Sequence, residues 1–374
     1  MQSTTTTVTA SDGTALHTHR WVPDGEPKAV VQIAHGMAEH SARYARLAQA
    51  LTEHGYAVYA HDHRGHGSTA SEIDHGYFAD ENGWDAVVAD MRAVTRLAQQ
   101  ENPGLPVFLL GHSMGSFLAR TYVIENSRDL AGLVLSGTGG DPGPLGKVGL
   151  GVARLEKRVR GPRHVSALLD KLTFGQFNAA FKPNRTGFDW LSRDDAEVDA
   201  YVDDALCGRT FTSGFFVDLF GGIPRINDRK QVARVRRDLP ILLIAGDKDP
   251  VGDGGRGPRA VAEQYSSVGV VDVTCTLYPG ARHEIFNETN RDEVTADVVA
   301  RPDSPPPRER RRLPPREPME SDPGGTRGRL GGHHRQPRYV RTDQTHVWHR
   351  RIPRAPRRPR AARAHERPPA APWP

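Results

Sequence analysis

Cysteine is nearly missing from this 374-residue chain, which holds only Cys207 and Cys275. Two are too few for a disulfide framework and have no metal-ligand spacing, so both are expected to be reduced and buried as small hydrophobes. No stretch approaches the roughly 20 apolar residues of a membrane span. The start, Met1-Gln2-Ser3-Thr4-Thr5, lacks the basic and apolar regions of a signal peptide. A cytoplasmic location is the resulting expectation. No internal repeat is visible.

Lysine is absent from residues 301–374, which instead carry 19 arginines, 16 prolines and 7 acidic residues. Their net charge is +12 while the whole chain carries +5, which leaves −7 on residues 1–300. The sequence pI of 9.3 is therefore a property of the tail. The first 300 residues read as a mildly acidic enzyme body with enough apolar residues for a sizeable core, and nucleic acid is not an expected partner for it. The tail has no apolar periodicity and cannot offset the entropy of ordering, so it is expected to be disordered. Its composition is what an out-of-frame reading of a GC-rich gene would give. The competing reading is an appended polyanion-binding segment, for nucleic acid or anionic membrane. A frameshift is preferred, because no aromatic–basic pattern organises the arginines.

In the body, apolar runs alternate with helical patterns. Ala29–Ala34, Tyr56–His61, Val107–Leu110, Gly132–Leu135, Ile241–Ala245 and Val271–Leu277 read as strands. Tyr44–His54 and Trp84–Gln100 show helical spacing. This alternation predicts an α/β fold, a mostly parallel sheet with helices on both faces. Thr5–Thr9 and Ala15–Trp21, either side of Asp12-Gly13, read as an antiparallel hairpin at one edge. Between Gly139 and Arg237 there are only helical patches, such as Val165–Leu172 and Val198–Leu206, and many aromatics. The predicted organisation is a core in two parts, 1–138 and 238–300, with a helical cap at 139–237. Most cap aromatics are expected to pack on the body, and a few to line an apolar substrate channel.

The chemistry centres on Gly111-His112-Ser113-Met114-Gly115, between the run Pro106–Leu110 and a helical pattern. Glycines two residues either side of a serine permit a sharp strand-to-helix turn that lifts the hydroxyl out of the sheet. Ser113 is the predicted nucleophile and needs a base and an orienting acid downstream. Asp247, Asp249 and Asp253 follow the strand at 241–245, and spacing does not choose among them. His283 follows the last strand, after Pro279-Gly280, and is the one histidine of the body beyond both serine and acid. Backbone amides of Met37 and Met114 are the predicted oxyanion donors.

Three segments in combination carry a resemblance: His35-Gly36-Met37-Ala38-Glu39-His40-Ser41 with Arg43-Tyr44, His61-Asp62-His63-Arg64-Gly65-His66-Gly67, and Gly111–Gly115. From about Thr5 to Ala300 the chain resembles the monoacylglycerol lipase and lysophospholipase branch of the α/β-hydrolases, often grouped with S33-type serine aminopeptidases. The resemblance implies an α/β-hydrolase fold and a triad of Ser113, Asp249 and His283, with Met37 and Met114 as oxyanion donors. It makes the Asp62–Gly67 loop structural, and Glu39 and Arg43 are read as braces of the oxyanion loop.

The implied activity is hydrolysis of carboxylic esters through an acyl-enzyme, with a small-molecule acyl ester as substrate and no cofactor or metal. Contact with a membrane surface or lipid aggregate through the cap is a further expectation. Alternatives are an S33-type aminopeptidase and a small-ester or thioester hydrolase. Proline-releasing relatives usually carry His-Gly-Gly-Pro-Gly where this chain has His35-Gly36-Met37-Ala38-Glu39, which ranks the peptidase lower. Dehalogenase or epoxide hydrolase chemistry would need Asp at position 113. The departure from the family is the C-terminus, where the last helix, from Asp292, runs into the arginine-rich tail.

Overall fold

Every residue of Ala29–Ala34 is buried, as is every residue of Tyr56–His61, Gly132–Ser136 and Ile241–Gly246. Strands buried on both faces belong to a parallel sheet covered by helices on each side. The computed structural model describes residues 1–300. The expectations for 301–374, whether disorder, a frameshift origin or polyanion binding, lie outside the described residues.

A hairpin of β1 (Gln2–Thr9) and β2 (Ala15–Val22) opens the chain. β3 (Ala29–Ala34) is followed by α1 (Ala45–Glu53), β4 (Tyr56–His61), α2 (Gly83–Glu101), β5 (Val107–His112), α3 (Met114–Asn126) and β6 (Gly132–Ser136). Five helices come next: α4 (Pro144–Arg160), α5 (Ala167–Phe174), α6 (Asp195–Asp203), α7 (Ser213–Asn227) and α8 (Arg229–Val232). β7 (Ile241–Gly246), α9 (Arg256–Ser267), β8 (Val273–Tyr278) and α10 (Arg291–Ala300) complete the described chain. The sheet order is β1-β2-β4-β3-β5-β6-β7-β8. β3 to β8 run parallel, and the hairpin joins antiparallel through β2 and β4.

Side chains alternate faces along a strand, and the two cores follow that period. Val30, Leu109, Leu133, Leu135, Ile241 and Leu243 face one core, shared with α2, α3, α7 and α9. Val31, Ile33, Leu110, Val134, Leu242 and Ile244 face the other, against α1 and α10. Each fully buried aliphatic side chain contributes about 1.5–3 kcal/mol, so these rows fix the register. In α10, Val294, Val298 and Val299 are buried in the second core.

Among the described residues, the stretch between β6 and β7 contains no strand, only one isolated bridge, Val165 to Thr212. Phe211, Phe215 and Phe216 anchor it by joining the main core. Trp190, Leu191, Tyr201 and Cys207 form a separate small cluster with Phe174, Phe177, Phe181 and Phe188 packed around it. Two expectations are corrected. The last strand begins at Val273 rather than Val271, which is 71% exposed. Cys275 is only half-buried, because it lies on the edge strand β8; Cys207 is buried.

Candidate active site

β5 ends at His112 and α3 begins at Met114, so Ser113 by itself makes the turn. Its φ of 51° and ψ of −118° lie in a region that residues other than glycine rarely occupy. The flanking glycines have steric causes. A Cβ on Gly111 would collide with the Gly115 carbonyl, and one on Gly115 with the carbonyls of Ala34 and His35. The Ser113 N–H donates to the Ser136 carbonyl at 2.9 Å, which ties the turn to β6.

His283 sits in the turn after β8, and its Nδ1 lies 2.9 Å from Asp249 Oδ1. Both side chains are buried. The loop is held from the helical insertion: His283 and Glu284 N–H groups donate to the Trp190 and Leu191 carbonyls at 3.3 and 2.8 Å. The His283 ring packs between Trp190 and His112, with centroids 5.0 and 4.7 Å away. Burial pushes the His283 imidazole down, but the charge and hydrogen bond of Asp249 outweigh it and hold the ring above the ordinary histidine range. His112 lacks such a carboxylate partner and is pushed down to about 4, by burial first and by His283 second. The competing acids face elsewhere. Asp247 accepts the Gly280 N–H at 2.8 Å, and Asp253 pairs with Arg256 at 2.6 Å.

Met37 lies in the loop after β3, and Gly36 brings that loop close to Ser113: a Cβ on Gly36 would stand 3.2 Å from Ser113 Cβ. Glu39 braces the loop by accepting the Gly36 N–H at 2.5 Å and the Tyr44 hydroxyl at 2.9 Å. Arg43 donates to Glu39 at 2.9 Å and bidentately to Glu284 at 2.7 and 2.8 Å. From the insertion, the Tyr201 hydroxyl and Gly208 N–H both donate to the Ala38 carbonyl, at 2.8 and 3.0 Å. The amides of Met37 and Met114 have no acceptor among the described residues. Sequence reasoning missed Glu284 and Tyr201, of which only Glu284, next to His283, had a local signal; Trp190 was among the aromatics from which a few channel-lining residues were expected.

These parts surround a cleft of about 590 Å³, its mouth included. Ser113, His283 and Met37 line its floor, and Phe174, Phe188, Trp190, Leu191 and Tyr201 of the insertion form its walls. A cleft of this size with apolar walls suits a small molecule.

The Asp62–Gly67 loop is packed behind the site. Asp62 accepts from Ser41 N–H and Oγ at 2.8 and 2.5 Å and from Ser68 N–H at 2.7 Å. Arg64 reaches Asp90 with two hydrogen bonds, at 2.5 and 2.7 Å. His35 Nε2 accepts the His63 N–H at 2.9 Å, so its Nδ1 carries the proton and donates to the Gly36 carbonyl at 2.7 Å. His35, His61, His63 and His66 are fully buried, and burial lowers all four.

The family profile described as serine aminopeptidase, S33, matches residues 25–290. The human monoglyceride lipase is 32% identical over 289 residues, 77% of this chain and 85% of that protein. The monoacylglycerol lipase of Mycolicibacterium smegmatis is 31% identical over 283 residues, 75% of this chain and 90% of that protein. Among solved structures, a thermostable carboxyl esterase from Bacillus coagulans, in complex with glycerol, superposes with a TM-score of 0.75. It is 30% identical and covers 80% of this chain and 97% of its own. Profile, curated relatives and superposition agree, and the chain belongs to the serine aminopeptidase S33 family, on the α/β-hydrolase fold.

Proposed function

We propose that this carboxylic ester hydrolase is a monoacylglycerol lipase that works through an acyl-enzyme. The observation that carries the reading is the buried Asp249–His283 hydrogen bond of 2.9 Å, on the same cleft as Ser113. His283 takes the Ser113 proton through Nε2 while Asp249 holds the ring in the right tautomer and supports its charge. Ser113 Oγ attacks the ester carbonyl, and the amides of Met37 and Met114 receive the developing oxyanion. His283 then gives the proton to the departing glycerol oxygen, and water releases the acyl group by the same steps. The names of the curated relatives support a monoacylglycerol, and the apolar walls of the cleft support a substantial acyl chain. In this reading 139–237 acts as the cap through which substrate enters.

The exposed face of α4 supports delivery from a lipid surface. Leu145, Val148, Leu155 and Val159 are 62–79% exposed, and Lys147, Arg154, Lys157, Arg158 and Arg160 share the helix. An amphipathic helix of this composition lies in the interface of an anionic membrane. No described helix is long and apolar enough to cross one.

The test is a panel of monoacylglycerols, lysophospholipids, simple acyl esters, thioesters and aminoacyl amides, assayed with wild type and Ser113→Ala. Monoacylglycerols should lead. Specificity should rise by about fourfold per added methylene until the cleft is full, from about 0.8 kcal/mol per buried CH₂. A preference for acetyl esters or aminoacyl amides would overturn the reading.

A further inference from the structure

Three side chains meet at the seam between the loop after β3 and the helical insertion. His40 Nε2 lies 2.7 Å from Asp204 Oδ2, although 164 positions separate them. The donor atoms of His40, Asp204 and Cys207 all lie within 4.8 Å of one another. A turn sets two of the three: the Cys207 N–H donates to the Asp204 carbonyl at 2.9 Å, and the Leu206 N–H to Asp204 Oδ1 at 2.9 Å. With Oδ1 engaged, Oδ2 is left for His40. Cys207 is 7% exposed, and its thiol has no hydrogen-bond partner among the described residues. The Asp204 side chain is 31% exposed and opens a path to solvent.

We propose that His40, Asp204 and Cys207 bind a zinc ion, with water in the fourth position. An imidazole, a carboxylate and a thiolate together suit zinc, whereas magnesium and calcium take oxygen ligands. Zinc bonds of about 2.0–2.3 Å place tetrahedral ligands about 3–4 Å apart, so the His40 and Asp204 donors, 2.7 Å apart, need to part slightly while the thiol closes by at most about 1 Å. On binding, the His40 Nε2 proton moves to Nδ1, the thiol proton leaves to solvent, and the ion replaces the His40–Asp204 hydrogen bond. That hydrogen bond would hold the seam without a metal, but it leaves the buried thiol beside it without a task. The ion would also staple the insertion to the oxyanion loop. His40 follows Glu39, and Gly208, next to Cys207, already donates to the Ala38 carbonyl at 3.0 Å.

The experiment titrates cobalt, as a coloured stand-in, into chelator-stripped full-length protein. One equivalent should produce tetrahedral visible bands and a near-ultraviolet thiolate-to-cobalt band, both erased by one equivalent of zinc. Zinc should raise the thermal midpoint by a few degrees, since it binds only the folded seam. Cys207→Ser and His40→Gln should each lose the thiolate band, and Cys275→Ser should keep it. Asp204→Asn should keep the band and weaken cobalt at least tenfold. Wild type without a stoichiometric thiolate band, or a band that survives Cys207→Ser, overturns the proposal. The wild-type result decides even where a variant fails to fold.

Discussion

Arg43 and Glu284 form a two-pronged ion pair, Nη1 to Oε1 at 2.7 Å and Nη2 to Oε2 at 2.8 Å, across 241 positions of sequence. Their side chains are 11% and 6% exposed. Burial would raise the Glu284 carboxyl, but the charge and hydrogen bonds of Arg43 overcome it and hold Glu284 at about 2. Through Glu39, the same guanidinium binds the loop that carries Met37 to the turn that carries His283.

Arg43→Met should therefore destabilise the fold by about 3–5 kcal/mol, because it leaves two buried carboxylates without a cation. The triple change Arg43→Met, Glu39→Gln and Glu284→Gln should recover most of that loss in urea unfolding. It should leave kcat low, since nothing then ties the two loops together. Recovery of turnover together with stability would show that the tie is not needed.

Ser113→Gly should abolish esterase activity yet stabilise the protein by about 1 kcal/mol. The φ of 51° with ψ of −118° costs a side chain about 1–3 kcal/mol, and glycine relieves it. Urea midpoints and labelling by a fluorophosphonate probe are the measurements. An unlabelled, less stable variant would mean the serine contributes more to the fold than its strain costs.

Asp249→Asn should lower kcat by about ten-thousandfold, as expected when Asn favours the wrong imidazole tautomer. Asp247→Asn should cost far less, since Asp247 faces the Gly280 amide instead. The acid limb of kcat/KM in wild type should fall above the ordinary histidine pKa of about 6.5, because His283 is raised and must be neutral to act. In Asp249→Asn the limb should move to lower pH. Equal, mild effects at both positions would place the acid elsewhere.

Stability should decline as pH falls below about 6.5, the histidine value in the unfolded chain. His35, His61, His63 and His66 are held below that value by burial, with His61 at about 3. A depressed folded pKa gives stability that is full above the unfolded value and is lost on acidification toward the folded one. His19, His75 and His112 are lowered as well and add to this trend, and His283, which is raised, opposes it with one proton. Between pH 6.5 and 5 the slope should approach about 1.4 kcal/mol per pH unit for each imidazole, less the opposing proton of Asp218, which burial raises to about 6. Urea unfolding across this window measures it, and a flat profile would contradict neutral burial of the four rings.

The sequence by itself determined the strands, the hairpin and the serine turn, because each is written in neighbouring residues. Short apolar runs mark β3 to β7, and glycines at 111 and 115 are demanded by carbonyls that any such turn brings close. Spacing left Asp249 and Asp247 undecided, the resemblance implied Asp249, and the tertiary structure sets the two apart by geometry. They stand two residues apart in one loop, and what distinguishes them is that His283, from another loop, closes on one of them. The start of β8 followed the same logic: Val271 is apolar in sequence, but at the sheet edge it is exposed and bonds back to the Arg237 carbonyl. Glu284 against Arg43, Tyr201 against Ala38 and His40 against Asp204 join residues 160 or more positions apart. Periodicity and motif spacing report local geometry. Those pairings arise only when the sheet brings its loops together and the helical insertion packs against them, burying polar groups that must then find one another.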